Sequence, residues 1–279
     1  MIDILIAPFA FDFMRRAFIA ALVVGSLCSA VGTYVVLRKL SFIGDGIAHA
    51  SFAGIVIAYL RGFDFALGSA VVAVATALGI GFVHRRARLS LDTAIGVLFT
   101  AAFALGIFLM SRSPRYSVDL QAYLFGNILG VAPRDLAFVV VVGAFVVGTI
   151  VALYRPLLYA SFDRVVAQAS GIRVQRADDV LLILIALTIV VSIQSVGIVL
   201  VAARLVTPAA AAAQLTRRFL PMMLVSIAIG ASSSLGGLYL SYYLGSASGA
   251  TIVLVATFAF FVALAQARIS AARRSRPAL

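Results

Sequence analysis

Glutamate and tryptophan are absent from this 279-residue chain, lysine and cysteine occur once each (Lys39 and Cys28), and histidine occurs twice (His49 and His84). Each gap closes off a kind of chemistry. Without glutamate there is no glutamate base for nucleotide hydrolysis, and no G-x-x-x-x-G-K-[ST] stretch is present to cradle phosphates, so the chain does not itself hydrolyse ATP. The G-x-S-x-G elbow and the H-E-x-x-H pair are missing too, which counts against hydrolase and metalloprotease readings. A lone Cys28 has no partner for an internal disulfide. Asp3 and Asp12 precede the first basic pair, Arg15 and Arg16, the reverse of a secretory leader, so the first apolar run is expected to stay as a helix. Charge itself is scarce: 11% of residues are charged and 63% hydrophobic, where a soluble domain has about 25% and about 45–50%. That balance excludes a soluble enzyme and leaves no room for a separate soluble domain.

What the chain does have is long apolar runs punctuated by arginine. The net charge of +12 comes almost wholly from 21 arginines set against ten aspartates. Arginines this sparse mark loops between membrane crossings and do not build a nucleic-acid surface, so no nucleic-acid partner is expected. Apolar runs fall near 16–37, 46–60, 64–83, 93–110, 135–153, 179–194, 197–216, 219–244 and 250–267. A spanning helix takes about 20 residues, so the expected fold is all-α, a polytopic membrane domain over 1–279 with about nine helices. Only Gln194, Ser195 and Gly197 separate the sixth and seventh runs, and the count is eight if these two form one broken helix.

Basic loops are retained on the cytoplasmic side. With nine crossings and the N-terminus outside, the inner loops carry fifteen basic residues, among them Arg38, Lys39, Arg85, Arg164 and the tail arginines, against six outside. The expected orientation is N-terminus out and C-terminus in, in a cytoplasmic membrane. Two connections are more than turns. The stretch Tyr123 to Gly130 in the 111–134 connection is apolar yet too short to span, as a re-entrant or interfacial helix would be. In the 155–176 connection, Phe162, Val165, Val166 and Ala169 follow the spacing of one helical face. Ser161 suits its N-cap and Gly171 its stop, giving an expected cytoplasmic amphipathic helix over 161–171, with Asp163 and Arg164 off the apolar face.

The chemistry concentrates in Ser41-Phe-Ile-Gly-Asp45-Gly-Ile-Ala-His49-Ala. Asp45 and His49 lie four residues apart, one turn on one helical face. Carboxylate with imidazole suits a borderline divalent ion such as zinc, manganese or iron, whereas calcium or magnesium takes oxygen alone. Two ligands make half a site, which fits a transient way station better than a store. The bland alternative is that Asp45 caps its helix and His49 bonds a neighbour; ionisable groups in membrane spans favour the functional reading. His84, in His-Arg-Arg-Ala-Arg88, reads as a solvated loop residue. Arg204 and Pro208 stand one turn apart before an alanine run, a combination that lets helices approach closely and removes one helical hydrogen bond, as in a wall of a pathway. A fixed charge there is expected to pair with an aspartate or turn to the cytoplasmic rim, with simple snorkelling as the alternative.

Three segments resemble one family, the membrane permeases of bacterial metal-uptake ABC importers of the zinc, manganese and iron type, often called ABC-3. They are Leu37-Arg-Lys-Leu-Ser-Phe-Ile-Gly-Asp-Gly-Ile-Ala-His-Ala, Tyr123-Leu-Phe-Gly-Asn-Ile-Leu and Val196-Gly-Ile-Val-Leu-Val-Ala-Ala-Arg-Leu-Val-Thr-Pro-Ala-Ala. Arg204 and Ala211 depart from that pattern, which has an aliphatic residue and often a threonine there. The resemblance implies a type II importer-like permease that acts as a homodimer, with two copies of a cytoplasmic ATPase and an extracytoplasmic metal-binding protein as partners. It implies metal contact at Asp45 and His49, and docking into the ATPase by the segment carrying Ser161, Phe162, Asp163, Val165, Val166 and Gly171. The divalent metal is then cargo and no cofactor is permanently bound. A secondary transporter using Asp45 and His49 as a proton relay is the alternative, and inverted repeats that would mark it are not evident between the halves. An intramembrane enzyme built on Ser41 or Ser51 rests on proximity alone.

Overall fold

In the computed structural model, residues 7–112, 126 and 128–274 are described, and every described regular element is helical. We number the α-helices α1 (Asp12–Leu37), α2 (Ile43–Arg61), α3 (Phe65–Ala87), α4 (Leu91–Ser111), α5 (Pro133–Ala152), α6 (Tyr154–Phe162), α7 (Arg164–Ala169), α8 (Val174–Val196), α9 (Val201–Leu215), α10 (Phe219–Leu244) and α11 (Ser248–Arg274). A helix stands at each of the nine apolar runs, and α6 and α7 are the additional short ones. Seven of them, α1 to α5, α10 and α11, are long and apolar enough to cross a membrane. The other two differ for visible reasons. Helix α8 opens with Arg176, Asp178 and Asp179 in its first turns. Helix α9 has 15 residues, about 22 Å at 1.5 Å per residue, short of a hydrocarbon core of about 30 Å. The sixth and seventh runs are two helices, because the chain breaks at Gly197, whose φ of 83° ends α8.

Local chemistry sets the boundaries. Asp64 caps α3 by accepting from the amides of Ala66 and Leu67, and Ser90 caps α4 by accepting from Thr93. Gly62 at φ 72° and Gly245 at φ 60° end α2 and α10 in the left-handed conformation that glycine adopts without strain.

Helix α1 is the axis of the bundle, packed by α5, α8, α9 and α10, while α2, α3 and α4 form a second group against it through α8 and α9. Its buried side chains Val24, Leu27, Val31, Tyr34 and Val35 join Ile43, Ile47, Leu181, Ile185 and Ile189 in one continuous core. Helices α2 and α3 approach backbone to backbone at Gly54 and Gly68, where a Cβ on either residue would collide with the other's carbonyl. Outward faces are as apolar as the interior: Val71, Val151, Leu254 and Phe258 are each more than two-thirds exposed. Such a surface is unstable in water and suits acyl chains. Of the expected outer segment, Tyr123–Phe125 and Asn127 lie outside the described residues, and Ile128–Gly130 forms a single 3-10 turn.

Candidate functional site

Asp45 lies in the first turn of α2, and the N-cap position belongs to Phe42, which offers no capping side chain. Asp45 therefore meets the positive end of the helix dipole with its carboxylate still half exposed, at 52%. One turn on, His49 is 25% exposed and places Nδ1 2.9 Å from the carbonyl oxygen of Asp45 and 3.5 Å from its Oδ1. With the proton on Nδ1 donated to that carbonyl, the lone pair sits on Nε2, the ordinary metal-binding nitrogen. Phe99 and Phe103 of α4 hold the ring edge-on, with centroids 5.9 Å and 5.7 Å away. The carboxylate thus stands beside the nitrogen that orients the ring. Oδ1 and Nε2 ligate one ion only after a side-chain rotation; without it, Asp45 orients the histidine from behind. Among the described residues no group of three or more His, Cys, Asp or Glu gathers, so the pair remains half a site within one chain.

The start of α2 also touches α9, as a Cβ on Gly44 would lie 3.2 Å from Leu205 Cδ2 and 3.3 Å from the Cα of Ala202. The segments holding Asp45 and Pro208, far apart in sequence, are thereby neighbours.

A second constellation lies at the end of the bundle where α1 stops, α3 stops and α8 starts. Arg38, the C-cap of α1, donates from Nη1 to Asp178 Oδ1 at 2.5 Å and from Nε to Ser161 Oγ at 2.7 Å. Arg164 reaches the other oxygen of Asp178 at 3.1 Å, and Arg85 pairs with Asp179 at 2.8 Å. Burial lowers the Arg38 guanidinium from its ordinary range, while Asp178 draws it back up. Three arginines from three inner loops of the sequence reading converge here. His84 Nδ1 lies 2.6 Å from the carbonyl of Leu89, tying the end of α3 to the following turn.

The expected 161–171 helix is corrected. It is interrupted at Asp163, whose extended backbone (φ −146°, ψ 109°) separates α6 from α7. Asp163 is the N-cap of α7, accepting from Val165 N at 2.8 Å and Val166 N at 3.1 Å. Ser161 instead closes α6, donating to the carbonyl of Leu157. An aspartate outcompetes it because a carboxylate accepts two amides and also favours the dipole. Gly171 does end the segment, at φ 77°, with Ile172 N on Ala167 O and Gly171 N on Gln168 O, the paired bonds of a Schellman stop. On this short element Phe162, Val165 and Val166 are exposed and Ala167 is buried, so the apolar face points away from the bundle.

A family model described as "ABC 3 transport family" matches residues 10–267, almost the whole chain. The chain belongs to that family. Its ABC 3 relatives include the manganese transport system membrane protein MntC of Halalkalibacterium halodurans, 44% identical over 254 residues, covering 91% of this chain and 87% of the relative. A probable iron transport system membrane protein of Haemophilus influenzae is 38% identical over 96% of this chain and 99% of its own length. The solved structure of PsaBC from Streptococcus pneumoniae in complex with Fab superposes with a TM-score of 0.84 at 36% identity, covering 94% of this chain and 95% of that one. The chain is accordingly a multi-span membrane component of a transport system.

Within this ABC 3 chain, Arg204 is placed differently from expectation. Its side chain is buried between helices, where Nη2 donates to the carbonyl of Ala21 on α1 at 2.7 Å and to Ser234 Oγ on α10 at 2.9 Å. The expectation of an aspartate or the rim overlooked these acceptors, since small side chains on α1 let a guanidinium reach the helix backbone. Pro208 is buried in α9 one turn further on. Sequence reasoning missed the Arg38–Asp178 and Arg85–Asp179 pairs; the adjacent aspartates opening the sixth run were their only trace.

Proposed function

We propose that this chain is the permease subunit of an ATP-binding-cassette importer that carries a divalent transition metal, manganese foremost, into the cytoplasm. The carrying observation is the Asp45–His49 pair, one turn apart on α2, with the half-exposed carboxylate 3.5 Å from Nδ1, so that a side-chain rotation brings Oδ1 and Nε2 onto one ion. Such a donor set suits manganese, zinc and iron alike, and the relatives named for manganese transport favour the first. The half-site supports a passing ion and not a resident one. A second copy of the chain supplies an equivalent pair, so the working permease is read as a homodimer. Helix α9, with Arg204 and Pro208, is read as a wall of the path because α9 abuts the start of α2.

The remaining parts follow from the same reading. All nine apolar helices are read as crossings of the cytoplasmic membrane, the 15-residue α9 requiring a locally thinner bilayer or its flanking residues to complete the span, with the N-terminus outside and the C-terminus inside. Two copies of an ATPase subunit dock onto α7 and its flanks, through Phe162, Val165 and Val166 with Ser161, Asp163 and Gly171 shaping the segment. An extracytoplasmic solute-binding protein delivers the ion. The test is Mn²⁺ uptake by vesicles holding the assembled complex. Asp45→Ala and His49→Ala are each expected to abolish uptake while the complex still assembles, and normal uptake by both variants refutes the site. Accumulation of metal against a gradient by the lone chain, with no ATPase and no nucleotide, refutes the importer reading in favour of a secondary transporter.

A further inference from the structure

The turn that leads into α2 is fastened to the segment read above as the ATPase dock, and the fastening runs through one mostly buried carboxylate. Asp178 accepts Arg38 on Oδ1 and Arg164 on Oδ2. Arg38 also holds Ser161, the penultimate residue of α6. Arg164 is the first residue of α7. The Arg38 and Asp178 side chains are 10% and 14% exposed, while Arg164 is 59% exposed. Charge pairs at a surface contribute little, whereas breaking a buried one leaves an uncompensated charge. The Arg38–Asp178 contact therefore dominates the connection.

From Arg38 to Asp45 the backbone is stiff. Lys39 sits at φ 58°, a conformation uncommon for a side chain of its size, and it is held there by Leu40 N on Val35 O and Lys39 N on Val36 O. Ile43 N then bonds Leu40 O, and Leu40 and Ile43 are both buried. A displacement imposed on Arg38 consequently moves the first turn of α2 as one body. There is room for such a movement. A cavity of about 330 Å³ lies beside the pair, bounded by Leu40, Leu91, Leu181 and Leu182 as well as by Arg38 and Asp178.

We propose that Arg38 and Asp178 are positioning residues that transmit the motion of the α6–α7 dock to the Asp45–His49 turn of α2. The proposal rests on the importer reading and deepens it, since it says how ATP-driven movement reaches the metal-bearing helix. Neither residue touches the ion. Their loss therefore changes the ratio between transport and hydrolysis, leaving each machine's parts in place.

The experiment uses the complete complex in vesicles and measures Mn²⁺ uptake and ATP hydrolysis together. Arg38→Gln and Asp178→Asn are each expected to lower Mn²⁺ moved per ATP hydrolysed by about tenfold, a coupling of the usual allosteric size, with the subunits still co-purifying. The double variant is expected to be no worse than either single one, because both substitutions cut the same link. Arg164→Gln, on the exposed arm, is expected to have the smaller effect. An unchanged ratio in an assembled Arg38→Gln complex overturns the proposal, as does a double variant whose losses multiply. If the single variants fail to assemble, conservative Arg38→Lys decides: a normal ratio with lysine, which cannot bridge Asp178 and Ser161 with a planar fork, also overturns it, and a reduced ratio supports it. A wild-type complex that takes up no Mn²⁺ sinks the importer reading itself, an outcome distinct from all of these.

Discussion

At the scale of single side chains, His49 makes the sharpest statement. Its Nδ1 lies 2.9 Å from the Asp45 carbonyl oxygen, and the proposed site therefore takes Nε2 as the ligand atom. The amide of glutamine reaches the place of Nε2, whereas that of asparagine reaches only the place of Nδ1. His49→Gln is therefore expected to keep measurable Mn²⁺ uptake and His49→Asn to lose about 10–100-fold, the range typical of disturbed metal ligation; the reverse order in initial uptake rates counts against Nε2. Asp163 gives a second case. Its carboxylate holds two amides of α7, and Asp163→Ala is expected to remove about 1 kcal/mol of local helix stability. Faster hydrogen exchange at Val165 and Val166, with little change in α6, would be the signature. Much at this scale was legible in the sequence: the four-residue spacing of Asp45 and His49 needs only a helix to become a contact. The pairing of Arg38 with Asp178 was not, since 140 residues separate them and only the packing of α1 against α8 brings them together.

Helices were easier to foresee than their joints. Long apolar runs leave the backbone no choice but internal hydrogen bonds in lipid, so runs such as 219–244 coincide with α10 to the residue at its C-terminal end. Joints depend on competition between single groups. In the 161–171 segment the expected cap was Ser161, and Asp163, read only as lying off the apolar face, is the cap because its carboxylate accepts two amides. The approach of α2 to α3 is an element-scale property that no periodicity displays, because it rests on Gly54 and Gly68 facing each other. Gly68→Val is expected to push α3 off α2 and lower the thermal transition of the purified chain by several degrees. An equivalent change at Gly96, where a Cβ meets nothing within 4 Å, should leave it unmoved. Equal effects at the two positions would mean that the close contact is not needed.

For the whole molecule, the arrangement of charge agrees with the loop reading. Arg38, Arg85 and Arg164 meet the Asp178–Asp179 pair at one end, while Arg134 meets Asp64 at the other, 3.2 Å away. Orientation is then a single binary question. After replacement of the buried Cys28 by alanine, a cysteine introduced at Ser90 is expected to react only with reagents that reach the cytoplasm, and one introduced at Phe63 with reagents added outside. The opposite labelling pattern would turn the molecule over.

The outward-pointing apolar strip at the α6–α7 joint has a consequence for the life of the protein before assembly. Phe162, Val165 and Val166 stay exposed for as long as no companion covers them, and in the proposed orientation this apolar strip faces the cytosol, within reach of quality-control proteases. On the proposed docking, surplus copies should turn over faster than incorporated ones in a pulse-chase, and equal lifetimes would mean that this strip is not what marks an unassembled copy.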